Sequence, residues 1–247
     1  MGGTTGMGWS AAKKFVTEGA HVICVGKPQE NPIEEKGITF LFEDAREETT
    51  MTKAIALCIE KHGSFDGLLH VAGGSGRSFG DGPLHAMTLE GWNKTIELNA
   101  TTVMLSNKAA IEHFISQGKK GAIVNISSVL AAHPAPSYFS THAYAAAKAS
   151  IIGLSVAAAS MYAKDNIRIN VISPGLVETP MSTRASQNEN IMTYIKTKQP
   201  LDGGRIGHAD DVTSLAALLL SDQASFITGQ NIAVDGGWSV SEGQIAE

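Results

Sequence analysis

The chain has 247 residues with a formal net charge of −5, 17% charged and 43% hydrophobic residues. That excludes a disordered polymer and leaves ample length for a buried core. No Lys/Arg run offers a footprint for nucleic acid or an anionic membrane, so neither is an expected partner. In chain order, a glycine cluster over residues 2–8 leads into a helical pattern over 9–18 and a strand over 21–25. A strand over 38–42, a helix over 47–62 and a strand over 67–71 follow, then a Gly/Ser/Pro loop over 73–84. Next come a helix over 88–117, a strand over 122–126, a helix over 143–163 and a strand over 167–172. The polar stretch 178–205 reads as a mobile flap, ahead of a helix over 209–221 and a last strand over 231–234. Most strands are unbroken apolar runs, as strands buried on both faces are. Their alternation with helices predicts βαβ units and an α/β, doubly wound, mostly parallel sheet. No repeat or linker divides residues 1–247, which read as a single domain.

The two cysteines, Cys24 and Cys58, make no disulfide framework and match no zinc spacing. No metal is expected, and the chain reads as one from a reducing, cytoplasmic setting. No apolar run reaches the roughly 18 residues that span a bilayer, and the first ten residues lack a leader's charged and apolar regions.

Three local patterns carry chemistry. Glycines 2, 6 and 8 just ahead of a helix allow a tight turn, close approach of backbone to a pyrophosphate, and close helix–strand packing. The helix start adds free N–H groups and the positive end of its dipole. A flexible glycine-rich terminus is the alternative. Tyr144 and Lys148 stand one turn apart on one helix face. A phenol titrates near ~10, and a neighbouring ammonium stabilises its anion for proton transfer. Ser128, just past the strand over 122–126, falls at the carboxyl edge where open α/β sheets bind ligands. A surface Tyr/Lys pair and a turn serine are the plain alternatives.

Together these residues resemble the short-chain dehydrogenase/reductase family, from residue 2 to about residue 237. The matches are Gly2–Gly8, Asn99 in a helix, Ser128, Tyr144 with Lys148, and Pro174-Gly175 with Thr179. The ending Ile227-Thr228-Gly229-Gln230 with Val234-Asp235-Gly236-Gly237 belongs to the same pattern. The resemblance implies a Rossmann-like, NAD(P)-dependent oxidoreductase that interconverts an alcohol and a carbonyl compound, and a homotetramer or homodimer. Tyr144 is then the general acid or base, and Lys148 depresses its pKa and binds the nicotinamide ribose. Ser128 polarises the carbonyl, and Asn99 holds a water in the proton relay. The implied cofactor contacts are Gly2, Thr4, Gly6, Met7, Gly8, Lys27, Asp44, Ala72, Gly73, Tyr144, Lys148, Pro174, Gly175, Val177 and Thr179. Of these, Asp44 lies near the adenine, and Val177 and Thr179 near the nicotinamide.

Three departures from the family pattern stand out. His70-Val71-Ala72-Gly73 replaces the usual Asn-Asn-Ala-Gly, which removes an asparagine that supports the central strands. The spacing from Ser128 to Tyr144 implies an insertion over 133–140, beside the substrate. The apolar strand expected before the glycine loop is missing, so a natural chain beginning upstream, with about five apolar residues ending in Thr-Gly, is expected. Gly26 supplies no carboxylate for a ribose 2′-OH while Lys27 supplies a cation, so NADP(H) is favoured, with NAD(H) the alternative. Substrate contacts are expected from 75–79, 133–139 and 181–198, where Met181, Met192 and Tyr194 suit an apolar or mixed substrate. Two rival readings are a family fold with impaired cofactor binding and a serine hydrolase using Ser78. The second rests on Gly76-Arg77-Ser78-Phe79-Gly80, but Asp81-Gly82-Pro83 cannot continue the helix that such an elbow needs.

Overall fold

β-branched and apolar runs form six strands: β1 (Val22–Gly26), β2 (Ile38–Phe42), β3 (Gly67–His70), β4 (Gly121–Ile126), β5 (Ile167–Pro174) and β6 (Asn231–Val234). The computed structural model describes residues 1–28, 35–135 and 137–243. β3, β4, β5 and β6 lie side by side in that order and all parallel, while β1 pairs with β2 in a separate parallel ribbon. β4 is buried along its whole length and β5 at every position but Arg168, which accounts for their mainly apolar sequences, with Asn125, Asn170 and Ser173 buried among them.

The helices are α1 (Gly6–Thr17), α2 (Thr50–His62), α3 (Leu89–Ile96), α4 (Thr102–Gln117), α5 (His142–Tyr162), α6 (Thr183–Ser186), α7 (Glu189–Lys198) and α8 (Ala209–Leu220). Alternate residues of β4 bury into opposite layers. Ile123 packs with Met51 and Ile55 of α2, Ile111 and Phe114 of α4, and Ala159 of α5. Val124 packs with Val212, Ala216 and Leu219 of α8, and with Met7 and Phe15 of α1.

Between β1 and β3 the sheet is interrupted. Residues 1–3 bridge only the carboxyl ends of the two strands. The Met1 ammonium donates to Leu69 O at 2.9 Å, and Met1 O accepts from Val71 N (2.9 Å) and Ala72 N (3.2 Å). On the other side, Val25 O accepts from Gly2 N (2.8 Å) and Gly3 N (3.0 Å). The rest of the gap is a cavity of about 490 Å³, walled by Val22, Ile23, Cys24, Gly67 and Leu68 on the strand edges and by Phe15 and Cys58 on the helices. This is where a strand preceding the glycine loop would lie.

Several elements differ from the sequence expectation. The helix expected over 88–117 is broken by a π-helical turn, Glu97–Thr101, between α3 and α4. Asn99 causes the break: its Nδ2 donates to Thr95 O and Gly74 O (both 2.9 Å) and its Oδ1 accepts from Gly74 N (3.1 Å), so its side chain ties the helix to the loop after β3. The expected flap over 178–205 contains α6 and α7, which bury Ala185, Ile191, Tyr194 and Ile195. The helix spanning His142–Asp165 is long and apolar enough to cross a bilayer by length and composition, contrary to the expectation that no segment is. Its apolar character comes from interspersed alanines rather than an unbroken run, and it packs along β5.

Candidate active site

The carboxyl ends of β4 and β5 and the first turns of α5 converge on one cavity of about 380 Å³. Ser128 follows β4 in extended conformation and is buried. It lies near enough to the Tyr144 phenol to pull its pKa down, and its Oγ accepts from Leu130 N at 3.2 Å. Tyr144 is fixed because the Asp81 carboxylate caps the start of α5, accepting from Ala143 N (2.9 Å) and Tyr144 N (3.0 Å). A carboxylate at a helix N-terminus also complements the helix dipole. One turn on, the Lys148 Nζ donates to Ile126 O at 2.9 Å and stands 5.6 Å from the Tyr144 ring centroid. Ser127 Oγ donates to Lys148 O at 2.8 Å, locking the end of β4 against α5.

Desolvation governs both titrating groups. It pushes the Tyr144 phenol up to about 12, against a downward pull from Ser128, and it brings the Lys148 ammonium down to about 8. Burial, rather than the expected depression by the lysine, sets the tyrosine, and the phenol is neutral at pH 7. Gly73 completes the cluster: a Cβ there would lie 2.6 Å from Asn99 Oδ1 and 3.5 Å from Lys148 Nζ.

The expected cofactor residues fall into two groups. Met7, Gly73, Pro174, Gly175, Val177 and Thr179 line the same cavity as Ser128, Tyr144 and Lys148. The glycine loop packs behind it. A Cβ at Gly8 would fall 1.9 Å from Gly2 O, and one at Gly2 would fall 2.6 Å from Ala72 N, so neither position admits a side chain. Gly6 lies against Thr179, and the buried Thr4 lies against Gly26. The α1 start has no side-chain cap and no acidic residue in its first turn, which leaves its N–H groups and dipole available to an anion. A backbone-only loop at a helix start, leading to a Tyr/Lys cavity, fits a nicotinamide dinucleotide. Lys27 and Asp44 do not line the cavity. Arg46 holds the Asp44 carboxylate at 2.6 Å and pulls it down to about 2, with a smaller contribution from the charge of Lys27.

Sequence reasoning missed Asp81, whose partners lie 62 and 63 residues away and are backbone groups. It also missed how the central strands are supported without the usual asparagine. His70 Nδ1 bonds Ser106 Oγ (2.7 Å) and its Nε2 bonds Ala72 O (3.1 Å), joining the end of β3 to α4. Asn107 and Asn125 exchange two bonds of 2.9 Å, and Asn125 also donates to Ser155 Oγ. Residue 136 of the expected insertion over 133–140 lies outside the described residues. Ser78 sits in an exposed single-turn helix, Arg77–Phe79, with no histidine hydrogen-bonded to it among the described residues, so the hydrolase elbow is not formed.

A family model described as enoyl-(acyl carrier protein) reductase matches residues 2–239. The chain is 32% identical over 250 residues to 2,5-dichloro-2,5-cyclohexadiene-1,4-diol dehydrogenase of Sphingobium indicum, covering 97% of this chain and 94% of that one. It is 31% identical to cis-4-hydroxycyclohexanecarboxylate dehydrogenase of Sinomonas cyclohexanicum, covering 96% and 94%. The solved structure of 4-hydroxyisoleucine dehydrogenase complexed with NADH superposes with a TM-score of 0.83 at 29% identity, covering 96% of both chains. This protein is a nicotinamide-dependent oxidoreductase of Rossmann-like fold and belongs to the short-chain dehydrogenase/reductase family.

Proposed function

We propose that the chain interconverts a small secondary alcohol and its ketone, with Tyr144 handling the proton. The observation that carries this reading is that Ser128, Tyr144 and the buried Lys148 line one cavity, with Ser128 near enough to pull the Tyr144 phenol's pKa down. The bound nicotinamide supplies or accepts the hydride. In reduction, the Ser128 hydroxyl and the neutral Tyr144 phenol both donate to the carbonyl oxygen, and Tyr144 gives its proton as negative charge develops there. In oxidation the tyrosinate form of Tyr144 accepts the alcohol proton and becomes the phenol, while the carbinol hydrogen leaves with its electron pair to the oxidised nicotinamide. In this reading Lys148 would stabilise the tyrosinate and hold the nicotinamide ribose. Asn99, anchored by three hydrogen bonds to Thr95 and Gly74, would hold a water of the proton relay.

The relatives' names support a cyclic secondary alcohol, and a cavity of about 380 Å³ is of small-molecule size. α6 contributes Arg184 and Ala185 to its wall and acts as its cover. The exposed Leu154 and Met161 of α5, with Met104 and Ile115 of α4, support a homodimer or homotetramer. The test is a nicotinamide-fluorescence titration followed by turnover of cyclic secondary alcohols. Saturable binding with alcohol-dependent formation of reduced cofactor is expected; a folded chain without saturable binding contradicts the reading.

For the cofactor, Thr4 fills the space beside Gly26, where a Cβ would meet its Oγ1 at 2.7 Å. A carboxylate at position 26 is therefore excluded, and Lys27 is the adjacent charge. This supports NADP(H) over NAD(H). Lys27→Ala is expected to raise the KM for NADPH about tenfold, the value of a ~1.4 kcal/mol charge-assisted contact, with little change for NADH. Equal effects on both cofactors contradict the preference.

A further inference from the structure

Two guanidinium groups line the substrate cavity and make no salt bridge among the described residues. Arg77, in the loop after β3, and Arg184, on α6, line the same cavity as Ser128 and Tyr144. They come from segments far apart in sequence yet converge on one atom. Arg77 Nη2 donates to Tyr138 O at 3.0 Å, and Arg184 Nη2 donates to the same oxygen at 3.5 Å. Among the described residues neither makes a salt bridge, whereas Arg46 is held by Asp44, and Arg205 by Asp202 and Asp211. The nearby carboxylate whose field reaches Arg77 is Asp81, and both of its oxygens already accept from α5 N–H groups.

Two like charges that share one acceptor repel each other; desolvation first and then the charge of Arg184 lower the pKa of Arg77, against an opposing pull from Asp81. An anion bound between them would relieve that repulsion and take the free N–H donors of both forks. Leu130, Phe139, Leu176, Met181 and Trp238 give the same wall an apolar face. A ligand that fits both parts has an apolar body and one anionic end.

We propose that Arg77 and Arg184 form an anion-recognition subsite in the substrate cavity, so that the preferred substrate is a hydroxy acid or keto acid whose carboxylate they hold. This rests on the catalytic reading above and adds the substrate class. The geometry divides the work: Ser128 and Tyr144 engage the reacting oxygen, and the two arginines hold the far end of the same molecule, setting its orientation.

The test uses the cofactor-saturated enzyme and two inert probes of the same shape, cyclohexanecarboxylate and cyclohexanecarboxamide, titrated calorimetrically. The carboxylate is expected to bind at least about tenfold more tightly than the carboxamide. In Arg77→Ala/Arg184→Ala that difference should vanish, with carboxamide affinity and cofactor Kd unchanged. Arg77→Lys/Arg184→Lys should keep part of it, because charge persists without the planar fork. Cyclohexyl phosphate is a third arm; tighter binding of it than of the carboxylate would overturn the carboxylate assignment. Equal affinities for acid and amide in the wild type, or a preference that survives in the double alanine variant, would overturn the subsite while leaving the catalytic reading intact. A wild-type chain that binds no nicotinamide cofactor overturns the catalytic reading and this inference with it.

Discussion

Tyr144→Phe is expected to lower kcat by at least ~10²-fold, the low end for loss of a general acid–base, while the cofactor Kd stays within about twofold. The ring carries the packing, and Phe keeps it. What is lost is the hydroxyl of a residue that lines the cavity beside Ser128. Lys148 bonds Ile126 O rather than the tyrosine hydroxyl, so the lysine and the ribose contact proposed for it survive the change. Steady-state kinetics alongside a fluorescence titration separate the two effects. A variant with near-normal kcat would show that another group moves the proton.

The second large effect concerns the gap in the sheet. A variant in which five apolar, β-branched residues ending in Thr-Gly precede Met1 should melt several degrees higher and bind cofactor more tightly. Such a run, ~16 Å long, matches the edges of β1 and β3 that line the 490 Å³ cavity. Every backbone N–H or C=O it pairs removes an unmet hydrogen bond worth ~1–3 kcal/mol, and 1 kcal/mol shifts the melting temperature of a domain this size by about 2–4 °C. The added residues also turn the buried Met1 ammonium, brought down to about 6 by desolvation from 8.0, into an ordinary amide. Between pH 6 and 8 the unfolded chain binds that proton and the folded chain does not. Stability of the 247-residue form should therefore rise across this window, by up to about 2–3 kcal/mol, and that rise should be absent from the extended form. Equal melting temperatures and equal cofactor affinities in the two forms would contradict this account of the gap.

How far the sequence reached depended on the kind of signal. β2 and β6 match their expected bounds because short apolar runs ending at polar or glycine residues mark strands directly, even where, as here, no residue is fully buried. The Tyr144/Lys148 pair is legible from one helical turn of spacing, and Ser128 from its place after a buried strand. The break at Asn99 is not legible, because the period of the surrounding helix continues through it and only the bonds to Thr95 and Gly74 reveal it. α6 and α7 were hidden by their polar composition, since they bury few side chains. Asp81 and the pair Arg77 and Arg184 act through backbone atoms of remote segments, and no local pattern encodes such partners.

The measurement that tests the central claim most directly is isotope tracing with cis-4-hydroxycyclohexanecarboxylate deuterated at the carbinol carbon, added to enzyme saturated with oxidised cofactor. The account predicts ketone and reduced cofactor in equal amounts, with the deuterium on the nicotinamide ring. Saturable cofactor binding with no deuterium transfer, or deuterium released to water, would contradict it.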